Sequence, residues 1–417
     1  MTVSQHDRDI LRRLAGQQAE IAALSVHKDK AELWRKLNDL EPVRPLVWIN
    51  EIPWNEMNVD EELTLQTSAP WAREIETGLR QLLYQWRHMP ADMIVDDYLT
   101  CPLVIYSTGV GLSEDAEIVK TDETNEIVSR RFHRQISQPE DIEKIKMPQV
   151  TYDREATEEN YQRMCDILAD ILPVRQVGKK RIGFAPWDKL VTWWGIQDAL
   201  IDLVERPQMV EAAISRLVDA YVCELDQWET LNLLARNDDN TRIGSGGYGY
   251  TIHLPQQGSD PTHVRPQNMW GSATAQIFGS VSPKMHWEFA LRHEMRWLER
   301  WGLTYYGCCE PLDIKMEILR RIPNLRKVSI SPWVNLDRAV GAVGTDYVLS
   351  RKPSPAVLAE DTWRPEAARN DLEQFLEKAR GCRVEIIMKD ISTVRYQPQR
   401  LWEWEKIAIG TAERSAP

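Results

Sequence analysis

The feature that most constrains this chain is a rhythm. Short apolar runs break off into polar or charged residues, and helical stretches follow them. Residues 45–50 end at Asn50 and Glu51, and 93–95 end at Asp96 and Asp97. Residues 181–185 lead into Pro186-Trp187-Asp188, and 230–235 into Asn237-Asp238-Asp239-Asn240. Residues 303–307 lead into Cys308 and Cys309, 328–330 into Ser331-Pro332-Trp333, 347–349 into Arg351 and Lys352, and 384–388 into Lys389 and Asp390. Between them, 207–229, 283–301 and 365–380 carry apolar residues at helical spacing. Ser282-Pro283 is a start signal, with Ser as the cap and Pro in the first turn. Eight strand candidates alternating with helices predict an α/β fold of the (β/α)8, or TIM-barrel, type. In that architecture the chemistry lies at the C-terminal ends of the strands, which is where these polar residues recur.

Two stretches stand outside the rhythm. Residues 7–40 place Ile10, Leu14, Ile21, Leu24, Leu33 and Leu37 at helical spacing. They predict an N-terminal helical extension over residues 1–40, with 41–417 forming a single barrel domain. Residues 241–268 are rich in Gly, Pro, Gln and Ser and hold His253 and His263. A loop of that length is expected to be a lid, a binding loop or a mobile insert. Gly244-Ser245-Gly246-Gly247 resembles a phosphate loop only superficially, because no Lys-Ser/Thr follows.

Charge excludes whole classes of function. The net charge of −12 argues against nucleic-acid binding, which needs a basic footprint, and against an anionic membrane surface. No apolar run approaches the roughly 20 residues that span a bilayer. Residues 1–13 are polar and charged, unlike a secretory signal. Six cysteines in a long acidic chain are expected to be reduced, cytoplasmic thiols. The 17 Trp against 5 Phe are expected to serve mainly as core filler, with a minority lining a pocket.

Cys308, Cys309 and Glu310 form the sharpest chemical motif, two thiols followed by a carboxylate at a strand end. Zinc takes three or four N, S or O ligands in tetrahedral array. Adjacent strand residues point to opposite faces, so both thiols reach one ion only if the chain bends there. Glu51, Asp96, Asp238 or a histidine of the long loop, His253 or His263, would complete the shell. The bland alternative is a pair of packed, reduced thiols. Glu51 beside Trp54 reads as a pocket carboxylate or as an ion-pair partner. Asp96 and Asp238 are either mouth residues or ordinary turn residues. Trp187 and Asp188 with Trp193, Trp194 and Trp333 would form an aromatic cage for a methoxylated ring or a quaternary ammonium, or else pack barrel against helix, above all Trp193 and Trp194. Lys352, Lys389 and Asp390 would hold an anion or move a proton, or form internal ion pairs.

Phe278-Gly279-Ser280-Val281-Ser282-Pro283 and the helix after it, Tyr306-Gly307-Cys308-Cys309-Glu310-Pro311, Lys352-Pro353-Ser354-Pro355, Lys389-Asp390-Ile391-Ser392-Thr393 and Arg44-Pro45-Leu46-Val47-Trp48 resemble the uroporphyrinogen decarboxylase superfamily. That superfamily includes the heme-pathway decarboxylase and corrinoid-dependent methyltransferases on the same barrel. The decarboxylase carries an Arg-containing segment after its first strand. Glu51 stands there instead and would repel a tetra-anionic porphyrinogen. The methyltransferase branch holds zinc with a His-x-Cys pair and a distant Cys. Here Tyr306 takes the histidine's register, or Gly307 does if the motif shifts by one, so the histidine is missing either way, and Lys389-Asp390 lies near the second cysteine's place.

The resemblance is closer to the methyltransferase branch. It implies methyl transfer between a small methylated compound, a methyl ether (as in an O-demethylase) or a methylamine, and cobalamin carried by a corrinoid protein. Zinc would sit at Cys308, Cys309, Glu310 and His253. Glu51, Tyr306, Lys389 and Asp390 would be catalytic, and Trp54, Asp96, Trp187, Asp188, Asp238, Trp333 and Lys352 would bind substrate. The alternatives are a decarboxylase or other lyase of a small carboxylic acid, and a non-catalytic ligand-binding barrel. The oligomeric state stays open.

Overall fold

The computed structural model describes residues 3–120 and 128–416. Its centre is a parallel sheet of six strands: β1 (Leu46–Ile49), β2 (Trp270–Ala273), β3 (Leu303–Tyr306), β4 (Leu325–Ile330), β5 (Val348–Arg351) and β6 (Arg383–Met388). The order across the sheet is β1-β6-β5-β4-β3-β2. Leu46 pairs with Glu385, and Val328 with Leu349. These strands are buried on both faces, which is why most of them read as near-continuous apolar runs. Val47, Tyr306, Val328, Leu349 and Ile386 face the outer helices and join the main hydrophobic core.

Three expected strands do not form ladders. Residues 93–95 run extended beside β1, where the Asp92 N–H donates to Val47 O at 3.0 Å. Residues 181–185 enter the helix Pro186–Trp194 directly. The run 230–235 contributes one bridge, Lys179 to Leu234. The side chain of Asn237 continues the sheet in place of a ladder, donating to Trp270 O at 3.0 Å and accepting from Trp270 N at 2.8 Å. Among the described residues no ladder closes the sheet into a ring. Strand β2, with the sequence WGSA, was not expected. It lacks β-branched residues, and Gly271 is there because a Cβ would overlap the indole of Trp301.

The inward-facing residues make a polar interior. Lys327 and Glu385, both fully buried, pair at 2.9 Å. Ser350 donates to Glu385 at 2.6 Å, and Tyr305 donates to Ser350 at 3.1 Å. Lys352 donates to Ser350 at 2.8 Å and also contacts the Tyr305 hydroxyl. The glycine-rich stretch, expected as a lid, a binding loop or a mobile insert, plugs this interior. Ser245 bonds the Tyr305 hydroxyl at 2.9 Å, and Tyr248 packs against Trp34 and Trp48. A Cβ on Gly247 would overlap the Trp34 ring, and one on Gly246 would overlap Glu385 and Tyr305. Trp34 is fully buried, with its indole N–H on Asp92 O at 2.9 Å, so it cannot retreat. Gly247→Ala therefore lowers stability by about 1–3 kcal/mol in a chemical denaturation series, the range for overpacking a filled core.

The N-terminal helices Gln5–Ala22 and Val26–Asn38 form as expected. The first packs against Pro70–His88 and Arg154–Leu168, building a second core from Leu11, Leu14, Leu83 and Ile167. The second delivers Trp34 to the sheet interior.

Candidate active site

A cavity of about 320 Å³ opens at the C-terminal ends of the strands. Strand β3 stops at Tyr306, and Gly307 turns the chain with φ 97°. That bend removes the strand alternation, so Cys308 and Cys309 come together with their sulfurs 3.5 Å apart. Glu310 fixes the bend. Its carboxylate accepts from Cys308 N at 2.9 Å, Thr274 Oγ1 at 2.9 Å and Ala275 N at 3.2 Å. Ser329 donates to Cys308 O at 2.6 Å. Glu310 is thus a structural brace, spent on the loop and turned away from the thiols.

Lys389, at the end of β6, stands 3.5 Å from Cys308 Sγ and 4.0 Å from Cys309 Sγ. It also reaches Asp390 at 2.8 Å and Glu51 at 3.4 Å. Asp390 Oδ2 lies 3.3 Å from Cys309 Sγ. Glu51 and Asp390 both adopt positive φ, at 51° and 55°, where non-glycine residues are uncommon. The Asp390 N–H donates to Glu51 at 3.1 Å, locking the two strand ends together.

The electrostatics follow this placement. The hydrogen bond from Cys309 is the largest influence on the Cys308 thiol; burial opposes it and the Lys389 charge adds to it, leaving the thiol at about 7. Cys309 moves the other way, raised by Cys308 and by burial. The pair titrates as a unit: one proton leaves near neutrality and the other is held far above. Burial works against the Lys389 ammonium, but Cys308, Glu51 and Asp390 outweigh it and raise its pKa. Burial works against the Glu51 carboxylate too, yet Lys389 and Arg242 bring it down to about 2.

Of the residues singled out in the sequence, Glu51, Cys308, Cys309, Lys389 and Asp390 therefore meet in one cluster. Lys352 lies beneath it, only 3% exposed, and burial brings its ammonium down to about 7. Asp188 packs nearby on Gln276 at 2.6 Å, raised by burial to about 6.

The others lie elsewhere. Tyr306 points away from the mouth, its hydroxyl on Glu294 at 2.8 Å and His286 at 2.7 Å behind the sheet. Tyr305 is the inward tyrosine, because alternation along β3 puts the neighbouring residue on the opposite face. Trp187 is fully packed, its N–H on Phe289 O at 2.8 Å, while Trp333 is 75% exposed and Trp54 leans edge-on to Tyr84. No aromatic cage forms from them. Asp238 is held by Arg236 at 2.9 Å. Asp96 lines a separate cavity of about 530 Å³ with Tyr98 and Trp71. His253 sits beside Arg326 and Asp39 near the start of β4. Cys308 sits beside Ser329, three residues up the same strand, or roughly 10 Å at strand rise. His253 therefore belongs to the opposite end of the sheet from the thiols.

Zinc does not fit the thiol cluster as it stands. Among the described residues no group of three or more His, Cys, Asp and Glu is arranged as a metal shell. The two sulfurs, Asp390 and Glu51 converge on the Lys389 ammonium, which occupies the point a metal would need.

The sequence reading missed the cavity's guanidinium groups. Arg181 and Arg242 both line it, with Lys180. Arg242 meets Glu51 at 2.9 Å. In sequence Arg181 is only the first residue of a strand candidate, and Arg242 one residue of a lid, binding loop or mobile insert.

No family model matches the chain, and no curated protein matches it. Among solved structures it is similar to a methyltransferase from Methanosarcina mazei. The identity is 11%, the TM-score 0.50, and the likeness covers 92% of this chain and 98% of that one. At that identity the likeness speaks for a shared α/β fold. Among the described residues no helix is long and apolar enough to cross a membrane, and all six cysteines are free.

Proposed function

We propose that this chain is a methyltransferase that moves a methyl group between a small methylated compound, of methyl ether or methylamine type, and a corrinoid protein. The observation that carries the reading is the Cys308 sulfur, 3.5 Å from the Lys389 ammonium, opening on the mouth cavity. A heteroatom losing its methyl group must be stabilised as it departs. A thiol that ionises at about 7 is an acid of suitable strength near neutrality. Cys308 gives its proton to the departing heteroatom as the carbon–heteroatom bond breaks, and Lys389 holds the thiolate left behind. Solvent then returns the proton. A corrinoid on the partner protein supplies, when bound, the nucleophilic cobalt that takes the methyl group. The cavity of about 320 Å³ suits a small donor rather than a corrin ring.

Lys389 thereby takes the part assigned to zinc from sequence, and no step runs through a metal. The fold shared with the Methanosarcina mazei methyltransferase supports this reading, as do the motifs that resemble the uroporphyrinogen decarboxylase superfamily. The single contacts of Asp92 on β1, of Lys179 with Leu234 and of the Asn237 side chain on β2 support a (β/α)8 barrel.

The test combines the purified chain with reduced cobalamin and a panel of methoxylated aromatics and methylamines, following cobalamin absorbance. Methylation is expected with a member of the panel. Its rate falls as pH rises through about 7, because the acid must carry its proton. Absence of methylation, a rate that rises through that range, or a strict need for added zinc contradicts the proposal.

A further inference from the structure

We infer that the mouth cavity binds a carboxylate, that Arg181 is the residue that holds it, and that the methyl donor therefore carries a carboxylate group. The identity of the ligand as a methyl donor rests on the methyl-transfer reading; the anion site itself does not.

The argument is an inventory of charge. Four cationic side chains line the cavity: Lys180, Arg181, Arg242 and Lys389. Lys180 pairs with Asp239. Arg242 pairs with Glu51 at 2.9 Å, and Lys389 with Asp390 at 2.8 Å. Arg181 makes no hydrogen bond and no ion pair among the described residues, although it stands on the cavity wall. Burial lowers its pKa and the Arg242 charge adds to that, with only Glu51 opposing. On the same wall the Nε of Arg242 is buried without a partner.

Arg181 is exposed at the cavity wall with no counter-charge hydrogen-bonded to it among the described residues, so it is free to pair with an anion that enters the cavity. The planar fork of Arg matches the two oxygens of a carboxylate. With one cation unmatched, the ligand needs one negative charge. Glu51 and Asp390 nearby work against a more highly charged phosphate. Ile182, Phe184 and Trp270 offer apolar wall for a carbon skeleton. A carboxylate on Arg181 leaves the far end of a small ligand free to face Cys308 across the same cavity.

Alkylation of Cys308 tests the site without any methyl donor. Iodoacetate carries a carboxylate and iodoacetamide does not; in both the thiolate attacks the methylene carbon and iodide leaves. Tandem mass spectrometry separates modification at Cys308 from modification at Cys309. Arg181→Met is expected to slow iodoacetate about tenfold while changing the iodoacetamide rate less than about twofold, and Arg181→Lys to keep most of the iodoacetate rate. Methoxyacetate should protect wild-type Cys308 from iodoacetamide and fail to protect Arg181→Met, and inorganic phosphate should protect neither. Equal effects on the two reagents, or none, overturn the anion site. Protection by phosphate equal to that by methoxyacetate overturns the carboxylate assignment. The site stands if these results hold while cobalamin methylation fails. The methyl-transfer reading stands if methylation is found with kinetics indifferent to Arg181.

Discussion

Lys327→Met is expected to lower the unfolding free energy by about 3–5 kcal/mol, the range for removing one partner of a buried ion pair. Lys327 and Glu385 are both fully buried, and their 2.9 Å pair stands inside the sheet. The ammonium also donates to Tyr248 O at 3.2 Å and lies between the rings of Trp34 and Trp270. Burial presses both charges toward neutrality, and each is held charged by the other, with Lys352 assisting Glu385. Removing the lysine leaves a carboxylate in the interior with the Ser350 hydroxyl and the more distant Lys352 charge for company. The double variant Lys327→Met with Glu385→Leu should recover much of the loss, because the penalty lies in the unpaired charge. Denaturant midpoints for the three proteins check both statements. A single variant as stable as wild type contradicts the pairing.

Cys308→Ser is expected to reduce methyl transfer by about 100- to 10,000-fold, the span of general acid catalysis, with the fold intact. Serine keeps the shape, but its hydroxyl ionises far too high to serve as the acid. Cys308 is half-buried and its backbone is held by Glu310 and Ser329, so the side-chain exchange leaves the bend in place. Cys309→Ser should lose less, because Lys389 still faces Cys308. Its signature is a Cys308 titration shifted upward, since the Cys309 hydrogen bond is the largest cause of the lowered value. Rates with a fixed donor, measured across pH for both variants, separate the two roles.

Much of this was written in the local pattern. Strands β1, β3, β4, β5 and β6 were legible because short apolar runs broke off into polar residues between helical stretches. Strand β2 was not, because its WGSA segment is shaped by Trp301 pressing on Gly271, a contact distant in sequence. The glycines at 244–247 looked like flexible loop, yet their small size serves close approach to Tyr305, Glu385 and Trp34. The polar strand ends pointed to the mouth, and Glu51, Cys308, Lys389 and Asp390 do meet there. Tyr306 was misplaced by one residue of register, which is enough to move a side chain from the mouth to the back of the sheet. Arg181 could not be singled out in advance. Its importance lies in having no partner, and partners are visible only in three dimensions.

The central claim is that Cys309 first and Lys389 with it make Cys308 an acid poised near neutrality. The most direct measurement is the pH dependence of Cys308 alkylation by iodoacetamide, resolved from Cys309 by mass spectrometry, in wild type and in Lys389→Met. The account predicts a wild-type midpoint at about 7, moved upward by the variant toward the ordinary thiol value of about 8.5. A wild-type midpoint already at the ordinary value, or one that Lys389→Met leaves in place, would contradict it.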